Sequence, residues 1–426
     1  AFEALVKIGD EACDHLDQLF LSPDSDNRLL SRIVKIFGKI GSQKAIESLL
    51  NKVEKQNKFI ARQAIAALRE ARFQATLSNI NQILNSIVRA TNIMSWNLSI
   101  LYIIPYRKEY TLLRRAMESE MEDNYNLLYH LLSLAYNSNS VSNIRKLIED
   151  GGDTDISYAI ELLDQIVYDD VKQVLFPVLE NLSMKGRIRQ LQFFFPTEKV
   201  AIFDLLQEII TRDYNMISIY VKACAIYSWS VLRKDVDDIL ISCLFHPNRL
   251  IRETAAFTIE KLDPDRLPEI YPRLEPSYVS EIIASFENIK SGNDILLLEK
   301  IEFLKRCYGF RKISEDILIE LAMCLRFHKI DKDESLLMTG IRHEFSLILI
   351  YSGEVEVSLT KSDAVTFTGN QVIYSEPYQE KDQDQLKIKA LEDTVIFSVS
   401  KDVLDTLIFD YTELRGIVLE LIDNMF

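Results

Sequence analysis

The sequence predicts a mainly α protein: a long helical solenoid ending in a small β-roll with flanking helices. Three observations predict this. Apolar residues recur at i, i+3, i+4 and i+7 through almost everything before residue 325. Within residues 1–72 this pattern repeats with a period near 30. From Arg326 the period changes to two, most plainly in Phe345–Leu359, FSLILIYSGEVEVSL. There Val355, Val357 and Leu359 alternate with Glu354, Glu356 and Ser358, as in a half-buried strand. The expected division is residues 1–311 for the solenoid and 312–426 for the β-roll with its closing helices.

In chain order, the repeat opens with LVKIGDEA (5–12), which matches FGKIGSQKA (37–45) and sets Gly9 and Gly41 32 residues apart. Between the matches run RLLSRIVKIF from Arg28 and FIARQAIAAL from Phe59, both amphipathic at helical spacing. A pair of short helices cannot bury its apolar stripe alone, so neighbouring pairs are expected to stack. Helices are predicted over 76–90, 125–136, 156–167 and 200–210, with breaks at Asp150–Asp153 and Lys185–Arg187. VKACAIYSW (221–229) aligns with IRETAAFTI (251–259) at an offset of 30, and His246-Pro247-Asn248 is a turn that starts the second helix. Asp263–Pro276 holds four of the ten prolines and reads as a bend. A helix over 314–325 has Ser314 as N-cap. Strands follow at 326–330, 335–338, 345–351, 354–359, 371–374, 386–390 and 394–399, with Gly340, Gly353 and Gly369 in the turns. Helices at 401–409 and 412–424 close the chain.

Composition excludes several classes. With 48% hydrophobic and 27% charged residues, the chain has the make-up of a globular protein. Its longest apolar run, Leu98–Ile104, is too short to cross a bilayer, which takes about 20 residues. The opening AFEALVKIGD reads as the inside of a helix, so the chain is expected to be a fragment of a longer protein. Five dispersed cysteines without CxxC predict reduced, buried thiols. The five histidines show no HExxH spacing, and no phosphate loop, dinucleotide fingerprint or GxSxG elbow occurs. No enzyme, metal or cofactor is therefore expected.

The net charge of −15 is uneven. Asn27–Arg72 carries eleven Lys/Arg against three acids, whereas Asp331 to the end carries nineteen acids against eight bases. Arg28, Arg32, Lys35, Lys39, Arg62 and Arg69 are the candidate basic surface. Three readings stay open: a solvated helix face, a docking surface for an acidic partner or the acidic C-terminal unit, and contact with nucleic acid or phospholipid head groups. The aromatic clusters at Phe193–Phe195, Tyr125 and Tyr129 read as core. Arg187-Ile188-Arg189 beside Phe193–Pro196 is a basic-aromatic binding candidate.

Two resemblances follow from these residues. The stretches around Asp26–Arg28 and Asn248–Arg252 resemble HEAT repeats, in which an Asp/Asn–x–Arg motif ties one repeat to the next. Residues 314–426 resemble the cyclic nucleotide-binding fold, on Phe327, Gly340, the turn Ile350–Val355, Gly369, and Ala390–Asp393 followed by Val395–Phe397. The family's ligand chemistry is missing. Ile373-Tyr374-Ser375 stands where Phe-Gly-Glu is expected, and Gln385 stands where the phosphate-binding Arg is expected. The segment EPYQEKDQD (376–384) would repel a phosphate. A cyclic nucleotide is not expected; a remodelled pocket would use Gly369, Ile373, Tyr374, Ser375, Gln385 and Lys387, the last placed on an edge strand. The run from KGRIRQLQFFFP to HPNRLIRETAAFTIEKLDP resembles the soluble tail of bacterial nucleotide-transporter-like membrane proteins of the ADP/ATP carrier type. That resemblance implies a cytoplasmic, non-catalytic regulatory region, tethered to the inner membrane through a preceding N-terminal part. A solenoid of this kind binds a protein partner; the alternative is a genuine small-ligand sensor regulating the attached transporter.

Overall fold

The computed structural model describes residues 2–22, 26–55, 58–198, 200–337, 347–359, 364–374 and 386–424. It divides into two compact units, residues 1–228 and 229–426. The change from helix to sheet at Leu325–Arg326 falls inside the second unit.

Unit one is helical. Its helices are α1 (Phe2–Ile8), α2 (Asp10–Phe20), α3 (Asn27–Ile40), α4 (Gln43–Lys55), α5 (Lys58–Glu70), α6 (Ile80–Ile103), α7 (Thr111–Ala135), α8 (Ser138–Asp150), α9 (Asp153–Ile166), α10 (Asp169–Leu179), α11 (Met184–Leu191) and α12 (Leu205–Thr211), and α13 (Ile219–Leu232) begins there. Helical spacing places Ile33, Val34, Phe37, Ala64, Ile65 and Leu68 in the core. Asp26 starts α3 by accepting a hydrogen bond from Leu29 N at 2.8 Å. α3 and α5 approach so closely that a Cβ added at Gly38 would lie 2.9 Å from Ala67 Cβ. A larger residue at either position would push the helices apart.

Three local expectations change here. The helix expected at 76–90 begins at Ile80, because Asn79 Oδ1 takes the Thr76 N–H at 2.7 Å and holds residues 76–79 in a turn. Lys185–Arg187 is no break: Ser183 caps α11 by accepting from Gly186 N at 3.2 Å, so the glycine sits in the first helical turn. Phe193 and Phe194 are exposed, 81% and 44%, because α11 ends at Leu191, which alone turns into the core.

Unit two begins with α14 (Asp238–Cys243), α15 (Arg249–Leu262), α16 (Arg266–Ile270), α17 (Pro276–Lys290), α18 (Leu297–Leu304) and α19 (Glu315–Cys324). The strands follow: β1 (Arg326–Ile330), β2 (Ser335–Leu337), β3 (Leu347–Ser352), β4 (Glu354–Leu359), β5 (Val365–Thr368), β6 (Val372–Tyr374), β7 (Leu386–Ala390) and β8 (Thr394–Val399). Helices α20 (Lys401–Asp410) and α21 (Thr412–Asn424) come last. The strands form two antiparallel sheets in the orders β1-β8-β3-β6 and β2-β7-β4-β5. That is the strand order of an eight-stranded jelly roll. Ile348, Ile350 and Ile396 of one sheet meet Val355, Val357 and Ile388 of the other to form its interior.

β3 explains the continuous apolar run in the sequence. Its inward face packs inside the roll, and its other face is covered as well, so Leu347–Ile350 are all buried. Phe303 of α18 supplies part of that cover, with its ring 5.2 Å from Tyr351 and 5.6 Å from Phe397. Gly353 turns β3 into β4 at φ +92°; a Cβ there would come within 2.8 Å of Thr394 Cα. β5 was not expected. It is an edge strand whose residues face outward apart from half-buried Phe367, so its alternation is weak. β7 lies between β2 and β4, so Lys387 is on an inner strand rather than an edge, and its side chain is exposed. His328 lies in β1, half-buried, with Nε2 2.8 Å from Ser398 Oγ. Four cysteines are buried free thiols and Cys324 is half-buried.

Candidate functional site

The expected ligand residues of the roll fall in different places. Gly369 is in the turn between β5 and β6, and Asn370 N donates to Ile350 O at 2.8 Å. Ile373 is fully buried in the roll interior, opposite Ile348. Tyr374, half-buried, ends β6 opposite Leu347. Lys387 belongs to the other sheet, paired with Leu337 and Ser358. Ser375, Gln385 and Gly340 lie outside the described residues.

Five cations of the basic segment are matched by acids of their own unit. Lys39 pairs with Glu70 at 3.3 Å, Lys44 with Asp14 at 2.8 Å and Arg62 with Asp123 at 3.2 Å. Lys52 pairs with Asp17, and its ammonium also lies over the rings of Phe20 and Phe37. Lys58 and Glu120 form an ion pair with both side chains almost wholly buried. Arg28, Arg32 and Lys35 are half-buried along α3. Arg69 is exposed and donates to His130 Nδ1 at 2.8 Å. Burial, with Arg69, Arg145 and Arg62 adding repulsion, lowers the His130 pKa to about 4. A neutral ring accepting from a guanidinium agrees with that direction. Of the six residues of the candidate basic surface, Lys39 and Arg62 thus meet acids, carried by α5 and α7.

Unit one also contains a cleft of about 600 Å³ among α6, α7, α8, α10 and α11. Its wall is chiefly apolar: Leu98 and Leu101 from α6, Met121 from α7, Ile148 from α8, Val178 from α10 and Met184 from α11. Polar groups enter at defined points. Tyr125 Oη donates to Val178 O at 3.1 Å and accepts from Arg187 at 2.9 Å. Arg187 also donates to Glu180 O at 3.0 Å, which leaves its buried Nε without a hydrogen-bond partner. Arg145 is differently placed: it donates to Glu149 at 2.7 Å and Asn126 at 2.6 Å, and lies 5.0 Å from the Tyr129 ring centre. Burial pushes both tyrosine hydroxyls above their ordinary pKa, so they remain neutral donors and acceptors.

Of the basic-aromatic candidate in the sequence, Arg187 reaches this cleft, while Phe193 and Phe194 are not among its lining residues. Tyr125 and Tyr129 line it, so they are cleft walls as well as packing residues. Leu98, Met121 and Arg145 carried no signal, since they are far apart in the chain and ordinary on their own helices. Among the described residues no group of three or more His, Cys, Asp or Glu is placed to hold a metal ion. No described helix is long and apolar enough to cross a membrane.

No family model matches the chain, and no curated protein sequence matches it. Among solved structures it is similar to the C-linker/CNBHD of zELK channels, crystallized in the presence of cAMP. The identity is 16%, the match covers 40% of this chain and 95% of that one, and the TM-score is 0.24.

Proposed function

We propose that the chain is a non-catalytic regulatory and interaction region. In this reading a HEAT-like helical scaffold takes a protein partner, and the roll is a cyclic nucleotide-binding-like module that has lost its nucleotide. The supporting observation is the placement of Arg252. α13 and α15 span Ile219–Leu232 and Arg249–Leu262, 30 residues apart at both ends. From the first turn of α15, Arg252 donates to His246 O at 2.8 Å and Pro247 O at 2.7 Å, which fixes the preceding turn. It also contacts both carboxylate oxygens of Glu281 on α17 at 2.8 Å. One side chain thereby links α15 to the turn before it and to α17, which supports the HEAT-like reading. Glu253 extends the link: it accepts from Ser285 at 2.6 Å and from Leu297 N at 2.7 Å.

For the roll, the support is chemical. The sequence offers Ser375 and Gln385 where the resembled family places a carboxylate for a ribose hydroxyl and a guanidinium for a phosphate. The test is the melting temperature of the protein with cyclic AMP and cyclic GMP. No shift is expected at millimolar nucleotide; a concentration-dependent rise would overturn loss of binding and favour a small-ligand sensor. The resemblance to the cytoplasmic tail of a nucleotide-transporter-like membrane protein is part of the same proposal. It predicts that the longer gene product sediments with membranes.

A further inference from the structure

We propose that the cleft of the helical unit binds an amphipathic monoanion: a carboxylate on an apolar chain, with Arg187 taking the charge. Two independent observations support it. The first is an unmatched cation. Arg187 is held rigidly by Tyr125 Oη and Glu180 O, yet among the described residues it has no carboxylate partner and its buried Nε donates to nothing. Arg187 is half-buried where it lines the cleft, and an entering carboxylate would supply the counter-charge that the described residues do not. The second is the wall. Leu98, Leu101, Met121, Val178 and Met184 surround about 600 Å³, within the range of small-molecule sites, and offer an apolar body a dry lining.

The rim narrows the chemistry. Glu118, Glu122 and Glu149 line the cleft and are exposed. They repel a polyanion such as a nucleotide, whereas a single carboxylate can reach Arg187. Arg145 is already matched by Glu149 and Asn126, so one positive charge is open to a ligand and not two. The site involves neither the roll nor its nucleotide chemistry.

Calorimetric titration of the whole chain with decanoate and with decanol tests the proposal. Decanoate is expected to bind at least about ten-fold more tightly than decanol, the worth of one charge-assisted hydrogen bond. Arg187→Met should lower decanoate affinity to that of decanol, and Arg187→Lys should keep part of the difference. Leu98→Trp, which fills the cleft, should abolish binding of both. Equal affinity for decanoate and decanol, or decanoate binding that survives Leu98→Trp, would overturn the assignment. Should Arg187→Met fail to fold by circular dichroism, the decanoate–decanol ratio and Leu98→Trp decide the question.

Discussion

The helical unit and the roll treat their interiors in opposite ways. In the roll, two sheets turn alternate residues inward, and Ile348, Ile350, Val355, Ile373, Ile388 and Ile396 fill the space between them. In the helical unit, helices meeting around α6 and α7 leave a cleft of about 600 Å³ lined by one arginine that no acid matches among the described residues. Charge follows the same division. The helical unit buries one ion pair, Lys58–Glu120, almost completely, whereas the residues that fill the roll between its sheets are chiefly aliphatic. The strands and glycines of the roll are thus readable in the sequence, while the cleft lies in the part of the chain that carries no ligand motif.

This contrast can be broken most sharply at Phe303. It is fully buried against Tyr351 and Phe397, so Phe303→Ala should cost about 3–5 kcal/mol in urea unfolding followed by near-ultraviolet dichroism. A cost under about 1 kcal/mol would mean that the sheet is loosely covered and the contrast false. In the helical unit the corresponding site is polar. Glu120→Gln leaves Lys58 buried without its counter-charge and should cost about 3 kcal/mol. Replacing both partners with apolar residues should recover most of that, and a double variant as unstable as the single one would show that the pair is not the cause.

Acid has the smallest effect. The unfolded imidazole of His130 titrates near 6.5, and the folded one at about 4. Between those values the unfolded chain binds a proton that the folded chain does not. Stability is therefore complete above about pH 6.5, falls as the pH drops towards 4 and then levels off. The ring is half-buried, which keeps the loss on the order of 2 kcal/mol. Thermal melts of the wild type and His130→Asn across this window should converge at the acid end; parallel curves would remove His130 from the account. His328, also lowered by burial, adds a drop of the same sign in the roll.

Local pattern was most readable where one residue type serves one face. β4 matches the alternation in the sequence residue for residue, because its inward positions Val355 and Val357 are apolar. The pattern failed at β5, where Phe367 alone turns toward the core, and at Phe193–Phe194, where aromatic content suggested burial but the helix had already ended. Asn248 was readable as a helix start because its side chain caps α15 from two residues away, at 2.9 Å from Leu250 N. The cleft was not readable. Its members come from five helices, and nothing local distinguishes Leu98 or Met121 from any other apolar helix residue.

The sequence by itself determined the helical periodicity, the change to period two at Arg326 and the repeat offset of 30, since each is a matter of neighbours along the chain. Tertiary structure alone decided which charges are matched and where space remains. Lys58 meets Glu120, and Arg187 meets Tyr125, across 62 residues in each case. At such separations only the packing of helices brings an acid to one cation and withholds it from another.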